Sequence, residues 1–207
     1  MSIQCRRADD KITDRQLQTI AGLIYDTDQY IYPAMFKNRQ EAETVLPRMM
    51  KSGDPIFSTE NLYVAADGKD VVGALFWKRG PVLWNTDVYE KCGGGAENIS
   101  RVAKEYFQLF AETSLKTASV VRIGVRENRR GQGIGHLLMD TFMRDEPGPY
   151  ELYVLIDNTE AIRFFTEKGF MIWETRPGFS LDYSAYPCYW MVSSGVNPRT
   201  DRGKTAH

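Results

Sequence analysis

Three cysteines, two histidines, no long apolar run and almost no net charge are what this 207-residue chain has little of. Each shortage removes a class of function. Cys5, Cys92 and Cys188 are odd in number and far apart, which argues against a disulfide framework and against a zinc cluster. His136 and His207 alone leave a histidine metal centre or a Ser–His–Asp triad almost nothing to work with, so no metal is expected. No apolar stretch approaches the ~18 residues of a membrane span, and the opening M-S-I-Q-C-R-R-A-D-D lacks the apolar centre of a secretory signal, so a cytoplasmic chain with no membrane partner is expected. A formal net charge of −1 gives no global footprint for nucleic acid. The dinucleotide fingerprint G-x-G-x-x-G fails because His136 stands where its third glycine belongs. A P-loop fails too, since Pro198 occupies the first glycine position ahead of Gly203-Lys204-Thr205.

What is present centres on Val120 to Gly135, V-V-R-I-G-V-R-E-N-R-R-G-Q-G-I-G, followed by H-L-L-M-D-T-F-M. A β-branched run, glycines at 131, 133 and 135, and an apolar pattern of period 3.6 predict strand, tight loop and helix start. The first turn of a helix carries unpartnered N–H groups and partial positive charge, and glycines let a phosphate come close to them. Arg126, Arg129 and Arg130 are expected to add charge on the same side. The bland alternative is a strand–helix pair whose glycines merely allow close packing; His136, in the helix's first turn, reads as a surface residue.

The pattern R-x-x-G-x-G, as Arg130, Gly133 and Gly135 after I-G-V, resembles the pyrophosphate loop of the GNAT superfamily of acyl-coenzyme A N-acetyltransferases. A second segment strengthens the resemblance. Leu152 to Phe170, with Asn158, Ala161 and the terminal Gly169-Phe170, looks like that family's strand, N-x-x-A helix and closing G-F. The resemblance covers roughly 3–193. It implies an α/β (mixed α+β) fold with a mostly antiparallel central sheet splayed at the cofactor strand and helices on both faces.

Taken in order, Ile3 to Arg6 reads as a short strand. Thr13 and Gln16 form a capping box ahead of Leu17, Ile20, Ala21 and Ile24, predicting a helix over 14–25. D-T-D-Q-Y-I-Y-P reads as a loop, and Asn38 opens a second helix that Pro47 should interrupt. Apolar runs joined by D-G-K-D predict a hairpin over 62–77. Trp84 to Tyr89 and Cys92-Gly-Gly-Gly95 lead to a helix with Ile99, Val102, Ala103, Tyr106 and Phe110 on one face. That stretch departs from the family's short turn and is read as an inserted helical segment, about 84–117, beside the acceptor site or as cover for the sheet edge. Phe170 to Thr175 and Cys188 to Ser193 read as closing strands joined by a loop. The domain expected is 1–194, with 195–207 a flexible tail.

The resemblance implies acetyl-coenzyme A as acyl donor, its pantetheine arm pairing like an added strand with Ile123 to Val125. Arg130, Gly131, Gln132, Gly133, Ile134 and Gly135 would hold the pyrophosphate, with Asn158 and Phe165 also on the cofactor side. The Val125 N–H would polarise the thioester carbonyl and hold the oxyanion. A primary amine on a small molecule or peptide would attack directly while both substrates are bound. Asp26, Asp28, Tyr30 and Trp84 are the candidate acceptor wall. The base stays open among solvent, Glu174, Asp26 and Asp28. Phe165 occupies the position where many members carry a tyrosine acid, leaving Tyr153, Tyr189, Cys188 or solvent to protonate the leaving thiolate. The expected activity is N-acetyl transfer; the alternative is an acyl-coenzyme A binding or sensing module. A homodimer is compatible with either.

Overall fold

The computed structural model describes residues 2–82 and 96–193. Its strands are β1 (Gln4–Arg7), β2 (Leu62–Asp67), β3 (Asp70–Arg79), β4 (Ala118–Val125), β5 (Tyr150–Leu155), β6 (Phe170–Leu181) and β7 (Ser184–Ser193). The helices are α1 (Asp14–Tyr25), α2 (Ile31–Met35), α3 (Arg39–Lys51), α4 (Ala96–Phe107), α5 (Ile134–Asp145) and α6 (Thr159–Glu167). Trp84, Cys92 to Gly95 and the tail from 195 onward lie outside the described residues.

Local chemistry sets most of the boundaries. Thr13 Oγ1 accepts from the Gln16 N–H at 3.3 Å and Gln16 Oε1 accepts from the Thr13 N–H at 3.0 Å, so the capping box that starts α1 is complete. Asn38 caps α3 by accepting from the Glu41 N–H at 2.9 Å. α3 then runs through Pro47 instead of being interrupted there. The missing proline N–H removes one bond, to the Glu43 carbonyl, and burial of Met49 and Met50 beyond it holds the last turn in place. The stretch expected as a loop before Pro33 contains α2, because Asp28 Oδ1 accepts from the N–H groups of Tyr30 and Ile31, each at 2.7 Å, and turns the chain into a helical turn.

The seven strands lie in the order β1-β2-β3-β4-β5-β7-β6, antiparallel except for β4 beside β5. That parallel pairing joins only Ala118 to Val120 with Tyr150 to Leu152, after which the two strands part. The closing strands are longer than their apolar runs suggest. β6 and β7 form one hairpin, turning at Asp182 and Tyr183, whose φ values of 47° and 68° fit a two-residue turn matched to strand twist. Pro177 and Gly178, turn signals in sequence, sit instead in a register shift on the edge strand β6, where a lost ladder bond costs little.

Helices α1 to α4 bury one face of the sheet through Leu17, Ile20, Met49 and Val102, with Phe110 of the 3₁₀ turn after α4, against Phe76 and Val121. On the other face Leu138 and Phe142 of α5 and Phe165 of α6 pack against Leu75, Leu152 and Met191. The result is a mixed α/β fold, mostly antiparallel, with helices on both faces and a split between its central strands.

Candidate functional site

Beyond Val120 the split leaves one edge of β4 without a strand partner among the described residues. The Arg126 N–H donates to the Val72 carbonyl at 2.9 Å, so that residue faces β3. Strand alternation then turns the backbone groups of Ile123 and Val125 the other way, toward the space that β5 has left. The Val125 carbonyl accepts there from Arg130 Nε at 3.3 Å. Side chains alternate as well: Ile123 and Val125 lean on the α5 layer, while Arg122 and Gly124 face α1 and α2.

Beyond Val125 a 3₁₀ turn (Glu127–Arg129) leads into the helix start. Gly133 is the residue before α5 and holds φ 76°, and Gly131 holds φ 73°. A Cβ at either would meet nothing within 4 Å, so the space in front of the helix start is open. No side chain caps α5, which leaves its first-turn N–H groups facing that space. Three arginines do not all add charge to this face. Arg129 is neutralised by its ion pair with Asp67, whereas Arg126, tethered to the Val71 carbonyl at 2.5 Å, keeps its charge. Arg130 has no carboxylate partner among the described residues. Gln132 Nε2 donates to the Asn128 carbonyl at 3.5 Å, Gly135 lets α5 approach Phe164, and His136 rests edge-on to that ring at 5.0 Å.

A cleft of about 430 Å³ fills the split. Asn158 stands at its rim, where its side chain accepts from the Ala161 N–H at 3.1 Å and so starts α6, the physical content of the N-x-x-A pattern. Phe165, 6% exposed, presents its ring to the cleft with Phe164 and Phe170 behind it.

A helix start prepared for phosphate beside an unpaired strand edge is an arrangement with known relatives. The model of the acetyltransferase (GNAT) domain matches residues 58–172, more than half of the chain. This chain belongs to the GNAT acetyltransferase family. Solved structures share the fold: an N-acetyltransferase from Staphylococcus aureus Mu50 aligns with TM-score 0.67 at 14% identity, covering 91% of this chain and 99% of its own. Ard1 from Thermoplasma volcanium aligns at 0.54 and 18% identity over 93% of this chain and 99% of its own. Naa50 from Arabidopsis thaliana, solved with the bisubstrate analogue CoA-Ac-MVNAL, aligns at 0.54 and 15% identity over 94% and 99%. No curated protein matches this GNAT chain significantly in sequence. The chain is an acyltransferase.

In this acetyltransferase the residues singled out from sequence are engaged as follows. Asp28 is 3% exposed at its side chain, and its Oδ2 accepts from Arg122 Nη2 at 2.8 Å. Asp26 borders the cleft with its carboxylate 3.1 Å from Arg39 Nε. The Tyr30 ring packs on Tyr186 at 4.5 Å; its hydroxyl accepts from Gln29 and donates to Asp157 at 3.4 Å. Tyr153 lines the cleft, edge-on to Phe110 at 5.3 Å, and burial, seconded by the Glu151 charge, pushes its phenol well above the usual range. Cys188 also lines the cleft; burial pushes its thiol up to about 11 against a smaller opposing pull from Arg176. Tyr189 packs toward the α5 and α6 layer instead. Glu174 lies within β6, exposed and 3.0 Å from Arg176, and does not line the cleft. Glu174 of β6, the outer strand of the sheet, pairs with Trp190 of β7.

Two charged residues inside apolar strand runs were missed. Arg122 projects into the cleft wall between the rings of Tyr32 and Tyr106, its guanidinium carbon 5.3 and 4.7 Å from their centroids. Glu151 is buried at the start of β5, accepting from Thr113, from Ser119 at 2.9 Å and from Trp190 at 3.1 Å. A lone charge in V-V-R-I-G-V or Y-E-L-Y-V-L is the signal that could have found them, since a charge in a buried strand is rare unless paired.

Proposed function

We propose that this chain moves the acetyl group of acetyl-coenzyme A to a primary amine by direct attack in a ternary complex. The observation that carries the reading is the free edge of Ile123 and Val125 beside a helix start whose glycines leave open space. Acetyl-coenzyme A supplies the activated thioester. Arg130, Gly131, Gln132, Gly133, Ile134 and Gly135 bind its pyrophosphate through backbone N–H groups and the Arg130 guanidinium, which has no carboxylate partner among the described residues. Ile123 and Val125 pair with the amide-bearing arm as an added strand. The Val125 N–H, held by its strand, donates to the carbonyl oxygen as charge develops there, a contribution of about 3 kcal/mol in comparable sites. Asn158 and Phe165 close the α6 side. The coenzyme A analogue carried by the Arabidopsis neighbour supports the same assignment.

The amine nitrogen forms a bond to the acetyl carbon and gives its second proton to water, the carbon–sulfur bond breaks, and coenzyme A leaves as thiolate. Asp28 is buried against Arg122 and Asp26 is paired with Arg39, so water takes the ammonium proton. Phe165 has no proton to give. The thiolate takes its proton from water or from Tyr153, whose phenol stays protonated at working pH. Residues 1–194 act as one catalytic domain, with the insertion about 84–117 at the acceptor end, to which α4 contributes Tyr106.

The direct test is thiol release from acetyl-coenzyme A across polyamines, aminoglycosides, amino acids and N-terminal peptides. Release with at least one primary amine, absent with its N-acetylated form, is expected. Coenzyme A affinity without release from any amine would sink the transfer reading.

A further inference from the structure

The charge set into the acceptor side of the cleft is Arg122. Its side chain is 15% exposed and lies on the α1 and α2 face of β4, the face opposite to Ile123 and Val125. Its donors are unequally spent. Nε donates to the Tyr32 hydroxyl at 3.2 Å and Nη2 to Asp28 Oδ2 at 2.8 Å. Nη1 has no hydrogen-bond partner among the described residues, and part of the side chain remains accessible. The open space that Arg122 borders is the cleft.

Asp28 is the reason the guanidinium stays in one pose. Its Oδ1 is taken by two backbone N–H groups and its Oδ2 by Arg122, and with its side chain 3% exposed it presents little surface to an incoming ammonium. Tyr32 and Tyr106 clamp the guanidinium between their rings. Taking a guanidinium out of water is costly, and one carboxylate satisfies only part of its five-donor fork. A fixed fork with a free edge is the geometry that receives a carboxylate. On the opposite wall, after β5, Asp157 borders the same cleft with only the Tyr30 hydroxyl at 3.4 Å as partner among the described residues. Unspent guanidinium N–H donors on one wall and a carboxylate with one long hydrogen bond on the other match the two ends of a zwitterion.

We propose that the acceptor is a small amino carboxylate, with Arg122 receiving its carboxylate and Asp28 positioning Arg122. This rests on the transfer reading above. The reaction it specifies yields an N-acetylamino carboxylate and free coenzyme A, with two protons released to water from the amine nitrogen and one returned to the thiolate.

The test compares each of the twenty α-amino acids with its own amide, on the unmodified chain. Two readouts are taken: thiol release from acetyl-coenzyme A, and the melting temperature in the presence of coenzyme A. At least one acid should exceed its amide in kcat/KM by on the order of tenfold to a hundredfold, because the amide cannot form the charged pair. Equal kcat/KM for every acid and amide overturns the proposal, as does release with polyamines but no amino acid, an outcome that leaves the transfer reading standing. If no amine releases thiol, acids that raise the melting temperature where their amides do not keep the Arg122 assignment and sink transfer alone; no rise with any acid sinks both. The paired variant Arg122→Met with Asp28→Asn removes both charges together, leaving no buried carboxylate unpaired. It should retain coenzyme A affinity and lose the acid-over-amide preference; a preference that survives it overturns the proposal. Where that variant does not fold, the comparison on the unmodified chain decides.

Discussion

Gly124 of β4 lies against Thr27 at the end of α1: a Cβ at Gly124 would come 2.9 Å from Thr27 Cγ2 and 3.1 Å from the Leu23 carbonyl oxygen. The helix can sit this low on the strand only because the strand has no side chain there. Gly124→Ala should therefore lift the end of α1, at a cost of about 1–3 kcal/mol. Asp28 follows Thr27 directly, so the displacement should raise KM for the acceptor more than it weakens coenzyme A binding. A melting temperature equal to that of the parent would contradict this packing.

Gly133→Val tests the phosphate loop. The substitution meets no protein atom, so its folding cost is confined to a branched residue at positive φ, roughly 1–2 kcal/mol. Its branched side chain would nonetheless occupy the space through which a phosphate reaches the α5 N–H groups. Calorimetry should show coenzyme A affinity reduced at least tenfold with the circular dichroism spectrum retained. Unchanged affinity would remove the site from this loop.

Phe165→Tyr restores a hydroxyl to a ring that already faces the cleft. Coenzyme A affinity should be nearly unchanged. With water as the proton source, the parent rate should keep rising with pH as the amine deprotonates, whereas a tyrosine acid brings a falling alkaline limb, near ~10 for an ordinary phenol and well above that for Tyr153, whose phenol burial pushes up. A parent enzyme that already shows such a limb, lost in Tyr153→Phe, would mean that Tyr153 supplies the proton.

Cys188 ties stability to alkaline pH. Its folded thiol is pushed up to about 11 by burial, against an ordinary value of 9.0, so between those values the unfolded chain has given up a proton that the folded chain retains. Raised folded values mean stability that is fully present below pH 9 and lost as pH rises through 11. Tyr106, pushed up to about 12 by burial, acts in the same direction above pH 10. Urea midpoints should fall from pH 8.5 to pH 11, and Cys188→Ala should flatten that fall by on the order of 1 kcal/mol. Parallel profiles for parent and variant would contradict a buried, protonated Cys188.

The elements legible in the sequence are those decided by near neighbours along the chain. The Thr13–Gln16 box, the Asn38 cap, the D-G-K-D turn and the Gly131, Gly133 and Gly135 loop each state a local backbone requirement, and each stands in the structure where its residues indicated. Local signals misled where a distant contact outweighed them: Pro47 stays inside α3 because of packing beyond it, and Pro177-Gly178 stays inside β6 because that strand lies at the sheet edge. What shares the cleft was decided by tertiary structure alone. Asp28 and Arg122 stand 94 residues apart, and nothing near either one names the other. They meet because α2 starts over β4, because strand alternation turns Arg122 toward it, and because β5 parts from β4 after Val120 and opens the space that both residues border. Register and strand order are sums of many long-range contacts, and those sums cannot be read one residue at a time.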